Sequence, residues 1–203
     1  MSAQDWFDFF AALTVATNAA TLALVVLLVL ARVHAGARER LDQLRDALGS
    51  SGLALATLVA GTAMAGSLYL SEGAHLIPCE LCWYQRIGMY SLAIVLLVAA
   101  VRRDWGVRPY AVTLASLGLL VSSYHYLIER FPDLESSATC DPLNPCTVTL
   151  IWKLHYISIP FMAGSAFLLS ALVLVLARPT DRGADPSTAG ASRDDDPVDA
   201  PTP

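Results

Sequence analysis

Long apolar stretches separated by short polar segments dominate this chain. Five of them approach the roughly 20 residues that a helix needs to cross the hydrocarbon core of a bilayer. They cover Phe9–Ala31, Gly52–Ser71, Trp83–Val101, Tyr110–Ile128 and Ile157–Ala177. None shows the strict alternation of a barrel strand, and backbone groups inside a bilayer must be hydrogen-bonded within their own segment. The predicted fold class is therefore all-α and integral to the membrane, with five spans.

The overall composition agrees with this prediction. Hydrophobic residues make up 55% of the chain and charged residues 15%. Such a balance is typical of a polytopic membrane protein and not of a soluble domain. We therefore expect partners in or beside the membrane, and no nucleic-acid partner.

Basic residues predict the orientation of the spans. Arg130 and Lys153 lie in the loops on one side and Arg86 lies within a span, whereas all other arginines lie on the opposite side. Those others are Arg32, Arg38, Arg40, Arg45, Arg102, Arg103, Arg108, Arg178, Arg182 and Arg193. The positive-inside rule then places the N-terminus outside and the C-terminus in the cytoplasm. We expect a multi-pass protein of a bacterial cytoplasmic (inner) membrane, with Ser71–Cys82 and Glu129–Tyr156 in the outer loops.

Two segments flank the predicted core bundle of residues 52–177. Residues 1–51 hold an additional N-terminal transmembrane helix and a cytoplasmic connector, Arg38–Leu48, which has leucines at helical spacing and ends at Gly49. The connector is either a short helix on the inner membrane surface or a solvated link. The first span is too long, and its opening residues too acidic, for a cleaved signal peptide. Residues 178–203 are predicted to be a disordered acidic cytoplasmic tail.

All four cysteines fall in the two predicted outer loops. Their chemistry is therefore expected on the extracytoplasmic side, where disulfides persist. Cys79 and Cys82 follow Pro78 at the start of the third span, so they share one side of the first helical turn. Exposed N–H groups at a helix start stabilise a thiolate, the form of cysteine that attacks and leaves in disulfide exchange. This pair is a candidate redox centre.

The second pair, Cys140 and Cys146, encloses the loop Asp-Pro-Leu-Asn-Pro. Prolines mark irregular structure, and a small loop on the aqueous side suits attack by an external protein. The spacing permits a disulfide without proving one. Two alternatives stay open for the cysteines: two purely structural disulfides, or a four-cysteine zinc site. The second pair lacks the short ligand spacing of a zinc knuckle, and zinc would leave Arg86 unexplained.

Arg86 indicates where electrons leave the first pair. A cation costs roughly 2.5 to 3.5 kcal/mol at the centre of a span, and Arg86 lies one turn beyond Cys82 on nearly the same face. The chain has no Rossmann glycine motif and no haem signature, so a quinone (menaquinone or ubiquinone) is the expected two-electron acceptor, with no metal and no flavin. Arg86 is predicted to hydrogen-bond a quinone oxygen. His125 is predicted to donate to the quinone or relay a proton, while Gln85 and Met89 line the site.

Residues Pro78–Arg86 read Pro-Cys-Glu-Leu-Cys-Trp-Tyr-Gln-Arg and resemble the PCxLCxxQR-type signature of the DsbB family of disulfide bond formation proteins. The loop cysteine pair, Tyr124-His125-Tyr126 and Ile157–Phe161 resemble the BdbC branch of that family. The resemblance covers roughly Leu53–Leu176 and implies a DsbB-like four-helix bundle. The additional first helix and the acidic tail depart from the family pattern.

The resemblance also implies an activity, that of a membrane thiol:quinone oxidoreductase supporting disulfide bond formation and protein folding. A reduced, extracytoplasmic, DsbA-like thioredoxin-fold partner would give its electrons to the Cys140/Cys146 pair. They would pass to Cys79/Cys82 and then to the membrane quinone pool. The runner-up is a quinone reductase similar to the vitamin K epoxide reductases, in which the loop cysteines precede the CxxC pair instead of following it.

Overall fold

The computed structural model describes residues 3–135, 140–141, 143–149 and 151–178. Its main elements are five long helices, with a five-residue π-helical turn, Tyr69–Gly73, at the end of the second. The helices are α1 Ala3–Val33, α2 Ala35–Leu68, α3 Glu80–Arg102, α4 Arg108–Arg130 and α5 Ile159–Leu176. Short 3-10 turns at Trp105–Val107 and Pro132–Leu134 lie at the two ends of α4.

Within the described part of the chain, five helices are long and apolar enough to cross a membrane. The predicted all-α fold with five spans is confirmed. The predicted acidic tail lies outside the described residues, except for Arg178.

The second helix is longer than predicted. The sequence predicted that Arg38–Leu48 is a short surface helix or a solvated link, separate from the next span, but α2 runs unbroken from Ala35 to Leu68. Leu41 and Leu48 are buried on this inner section, and Arg178 from the end of α5 donates to Asp42 Oδ1 at 2.8 Å. Tertiary packing therefore stabilises the helix across glycine, whose intrinsic helix propensity is low.

The centre of the bundle is organised around one aromatic ring. Phe167 on α5 is fully buried and lies against Gly88 on α3 and Gly118 on α4. A Cβ atom at Gly118 would come within 2.3 Å of Phe167 Cζ, so only glycine leaves room for the ring there. Small residues at such positions let membrane helices approach closely. This packing sets the N-terminal end of α3 beside the C-terminal end of α4, where the cysteines and His125 lie.

We expect Gly118→Ala to destabilise the bundle by about 1–3 kcal/mol, because the methyl group overpacks the space held by Phe167. Thermal unfolding of the detergent-solubilised protein, followed by near-ultraviolet circular dichroism, would measure the loss. Gly36→Ala is the matched control, since it is helical and has nothing within 4 Å of the added Cβ. Equal stabilities for the two variants would contradict this account of the core.

Candidate functional site

The π-helical turn and an extended segment carry the chain from α2 to the cysteines. The Ala74 N–H bonds the Tyr69 carbonyl at 2.9 Å, and the Leu76 N–H bonds the Leu70 carbonyl at 3.0 Å. Cys79 then adopts extended backbone angles and caps α3, with its carbonyl accepting from the Trp83 N–H at 3.1 Å. Cys79 therefore stands at the helix N-terminus, where the unpaired N–H groups favour negative charge.

Cys79 and Cys82 form a close dithiol. Their sulfur atoms lie 3.1 Å apart, within hydrogen-bonding distance and without a disulfide between them. Cys79 is buried and Cys82 is partly exposed. The two thiols can therefore share one proton and close to a disulfide without a large movement of the backbone.

His125 from α4 completes this centre. Gln85 Nε2 lies 2.7 Å from His125 Nδ1, so with the amide in this orientation Nδ1 accepts and Nε2 carries the hydrogen. Nε2 lies 3.1 Å from the Cys146 carbonyl oxygen and 3.7 Å from Cys79 Sγ. Gln85 thus selects a neutral tautomer whose single N–H is directed at both cysteine pairs. Gln85 thus bonds to His125, while the Arg86 guanidinium bonds to the Ser67 carbonyl.

The contacts of Cys79 control its acidity. The pKa of the Cys79 thiol lies well below its ordinary range, chiefly because Cys82 Sγ hydrogen-bonds to it. Burial opposes this effect, and the hydrogen bond from His125 reinforces it. Cys79 is therefore a thiolate at neutral pH when the pair is reduced.

This lowered pKa has a measurable pH dependence. In a variant with Cys140 and Cys146 replaced by alanine, thiolate absorbance at 240 nm should persist at pH 6 and disappear only as the pH falls further. An ordinary thiol, with a pKa near about 8.5, would be almost fully protonated at pH 6. His125→Phe should move the transition to higher pH, because it removes one stabilising donor. Loss of the signal already at pH 7, without that substitution, would contradict the assignment of Cys79 as thiolate.

The second pair is joined. Cys140 and Cys146 form a disulfide with a Cα–Cα distance of 5.9 Å. They pack in one cluster with Cys79, Leu81 and Ile128, so the loop disulfide and the dithiol are neighbours. Zinc binds cysteine as a thiolate, so cysteines joined in a disulfide do not form the four-cysteine zinc site considered from the sequence.

The loop between the second pair of cysteines packs against the start of α3. The sequence predicted that this loop is exposed, but both of its cysteines are buried. Cys140 is 6% exposed and Cys146 is 1% exposed. Asn144 Nδ2 donates to the Pro78 carbonyl at 3.2 Å, and the Cys146 N–H donates to Glu135 Oε1 at 2.9 Å. These polar contacts hold the described part of the loop over the start of α3.

A cavity of about 300 Å³ adjoins the dithiol at Cys82. Its α3 wall is formed by Cys82, Gln85, Arg86 and Met89, and the other walls come from α1, α2 and α5. This volume is at the lower end of the range of small-molecule sites. The structure thus brings three of the four predicted acceptor-binding residues to one cavity with the Cys82 side chain. His125, the fourth, reaches this group through Gln85.

Arg86 is held in place at this cavity. Its Nη2 donates to the Ser67 carbonyl at 3.2 Å, and its Cζ lies 5.3 Å from the centre of the Trp83 ring. Tyr90 Oη donates to Ser67 Oγ at 3.3 Å. Because Ser67 takes only part of the hydrogen-bonding capacity of a guanidinium with five N–H groups, Arg86 keeps donors for a ligand.

Three residues that position the site were not predicted from the sequence: Ser67, Glu135 and Asn144. Ser67 lies on another helix, and its role depends on how α2 meets α3. The other two are common loop residues whose value comes from where the loop folds back. A local signal existed only for Asn144, which lies inside the short loop between two cysteines.

One arrangement bears on metal binding. The Sγ atoms of Cys79 and Cys82 and a ring nitrogen of His125 lie within 4.8 Å of one another. Cysteine and histidine are the usual ligands of zinc. These three side chains could therefore hold a metal ion when the dithiol is reduced, although the hydrogen bonds described above already account for their positions.

Taken together, the helices and the two adjoining cysteine pairs define a multi-pass membrane protein with a thiol–disulfide centre at one end of its bundle. A family model described as "Disulfide bond formation protein DsbB" matches residues 50–177. The chain belongs to the DsbB family, as its motif predicted. It is thus a membrane protein of disulfide bond formation, and its first helix lies outside the matched region.

Individual relatives agree with this family. A probable disulfide formation protein of Oceanobacillus iheyensis is 45% identical over 108 residues, covering 53% of this chain and 74% of the relative. Disulfide bond formation protein C of Bacillus subtilis is 41% identical over 119 residues, covering 59% and 86% respectively. A probable disulfide formation protein of Coxiella burnetii is 39% identical over 131 residues, covering 64% and 89%. No solved structure gives a significant match to the chain.

Proposed function

We propose that this protein is a thiol:quinone oxidoreductase that reoxidises an extracytoplasmic, DsbA-like thioredoxin-fold partner. The observation that carries the proposal is the position of the dithiol between two features. Cys79 packs against the loop disulfide, while Cys82 lines the cavity that also contains Arg86. Electrons can therefore arrive on the side of the loop and leave on the side of the membrane.

The first step is disulfide exchange at the loop. A thiolate of the partner attacks Cys140, the Cys140–Cys146 bond breaks, and Cys146 leaves as a thiolate. The partner's second thiol then attacks the mixed disulfide, so the partner becomes oxidised and the loop pair holds two electrons and two protons. Cys140 is the proposed target because it is the more exposed of the two loop cysteines.

The second step moves the electrons to the CxxC pair. The Cys146 thiolate attacks Cys79 of an oxidised Cys79–Cys82 pair, and Cys82 leaves. Cys140 then resolves the inter-loop bond, which restores the loop disulfide and reduces Cys79 and Cys82. The two cysteine states in the structure match this point of the cycle, with the loop pair joined and the other pair reduced. His125 suits the exchange because its N–H faces both Cys79 and the Cys146 carbonyl.

The last step reoxidises Cys79 and Cys82. A bound quinone would supply a lipid-soluble acceptor for the two electrons and the one remaining thiol proton of the pair, and its second proton would come from water. The residues present fit such a group, since the cavity is mainly apolar and Arg86 has donors to spare at the level of Cys82. Arg86 would bind and orient a quinone oxygen, and Met89 would contact the ring. His125, held by Gln85, would donate its Nε2 hydrogen to the Cys79 thiolate and so stabilise it before the disulfide closes.

The proposal includes an orientation and a division of the chain. The two cysteine pairs lie outside the cytoplasmic membrane, the N-terminus is outside, and the C-terminus is inside. Residues 52–177 form the redox bundle, 1–51 an additional helix with its connector, and 178–203 a tail. The distribution of arginines supports the orientation. Alkaline phosphatase fused after residue 203 should be inactive if the C-terminus is cytoplasmic.

Reconstitution tests the function directly. The purified protein would be mixed with a reduced thioredoxin-fold dithiol oxidase and either menaquinone or ubiquinone, and quinone absorbance would be followed. We expect one quinone to be reduced for each partner oxidised. Absence of quinone reduction with either acceptor, although the partner reduces the loop disulfide, would refute the proposed acceptor. Reduction of a vitamin K epoxide in the same assay would favour the runner-up activity.

A further inference from the structure

Helix α1 is not part of the family's matched region, yet it forms one wall of the cavity beside Cys82. We propose that α1 is part of the quinone site and limits the size of the ring system that the site accepts. Because this inference rests on the proposed quinone reaction, its test must separate the two. The extra helix would then select among quinones by the size of their rings.

The contributing residues form one face of α1. Phe10, Leu13, Thr14 and Thr17 all line the cavity, at the spacing of residues that share a helix face. Val15, on another face at the same depth, is 40% exposed and does not line the cavity. The helix therefore presents one face to the cavity and a different one to its surroundings.

Several contacts fix the outer part of α1 against the bundle. Asp8 forms an ion pair of 2.7 Å with Lys153, just before α5. The rings of Trp6 and Tyr69 lie 4.8 Å apart, centre to centre. Phe10 lies over Gly66, where an added Cβ would be 3.0 Å from the ring. Since Gly66 and Phe10 both line the cavity, the docking of α1 and the shape of the cavity depend on the same contact.

Apart from the Thr17 hydroxyl, the chemistry of this face suits contact with a ring. Thr14 Oγ1 donates its hydrogen to the Phe10 carbonyl at 2.8 Å, so that hydroxyl is already used within the helix. Phe10 and Leu13 add only apolar surface. Arg86 supplies the charged donor from α3. The geometry thus divides the work: α3 orients the quinone oxygen, and α1 bounds the space that the ring and its substituents fill.

The test compares Leu13→Trp with Val15→Trp in the full-length protein. A photoreactive azido-naphthoquinone would measure binding without turnover, with labelled peptides identified by mass spectrometry. In the unsubstituted protein we expect label on both the Phe10–Thr17 segment and α3. Leu13→Trp should reduce labelling and raise the KM for menaquinone by about tenfold or more, because the indole overfills the cavity. Val15→Trp should leave both within about twofold, as expected for a surface substitution.

Two further measurements keep the outcome decisive. Reduction of the loop disulfide by the partner, measured in a single turnover without quinone, should be unchanged in both variants. If Leu13→Trp does not fold, Leu13→Ala replaces it and should improve use of the bulkier naphthoquinone relative to a benzoquinone. Label on α3 alone, with Leu13→Trp or Leu13→Ala behaving as Val15→Trp does, would overturn the role of α1. Failure of the unsubstituted protein to bind or reduce any quinone would instead refute the proposed function.

Discussion

Replacing Cys140 with serine should abolish oxidation of a reduced thioredoxin-fold partner, even with excess quinone. The variant has no loop disulfide for the partner to attack, and removal of a reacting nucleophile typically costs several orders of magnitude in rate. Cys79→Ser should fail differently. Its loop disulfide is intact, so it should oxidise one partner molecule per chain and then stop. Rapid mixing followed by alkylation of free thiols with a mass-shifting reagent would count the partner molecules oxidised.

The difference between no turnover and one turnover is the informative result. Ser123→Ala, an exposed position on α4, is a control that should turn over normally. Continued turnover by Cys79→Ser would show that the loop pair works without the CxxC pair. A chain with two purely structural disulfides predicts no partner oxidation even without substitution, and all four cysteines would stay oxidised when quinone synthesis is blocked.

Arg86→Ala should raise the KM for quinone by about 10- to 100-fold. A hydrogen bond from a charged group contributes about 1.5–3 kcal/mol, and the mainly apolar cavity offers little water to replace it. Arg86→Lys should recover part of the loss, because an ammonium keeps the charge but lacks the planar fork that can bond Ser67 and a ligand together. Steady-state kinetics with varied quinone at saturating partner would measure both effects.

A second arginine on the same helix controls for charge. Arg102 lies exposed at the other end of α3, so Arg102→Ala removes a cation without touching the cavity. Single-turnover exchange between partner and loop should be normal in every arginine variant. If Arg86→Ala leaves the KM for quinone unchanged, the arginine serves only to hold α2 and α3 together through Ser67.

Local patterns account for what the sequence predicts well. Apolar runs long enough to span a bilayer locate the five helices. The Pro78–Arg86 motif is also local, because it extends over only nine consecutive residues. The helical spacing that placed Arg86 beyond Cys82 needs no knowledge of the other helices. The position of Cys82 and Arg86 at one cavity follows from the same spacing.

Tertiary contacts account for what the sequence does not reveal. α2 continues through Gly49, and its neighbours there, such as Arg178 bonded to Asp42, come from far away in the chain. The tautomer of His125 depends on Gln85 on another helix. Likewise, the wall formed by α1 requires the Phe10 ring to lie over Gly66, and no periodicity in α1 indicates that neighbour.

The burial of the loop disulfide has a consequence for selectivity. In the proposed cycle, a small thiol such as glutathione could reduce an accessible disulfide at this position, and its electrons would pass to the quinone pool without oxidising a partner. Because Cys140 and Cys146 are buried and Asn144 is bonded to the Pro78 carbonyl, this reaction with a small thiol would be slow. Access in the proposed cycle would therefore require a partner protein that binds strongly enough to displace the loop. The docked loop would thus make the disulfide selective for a protein partner over small thiols.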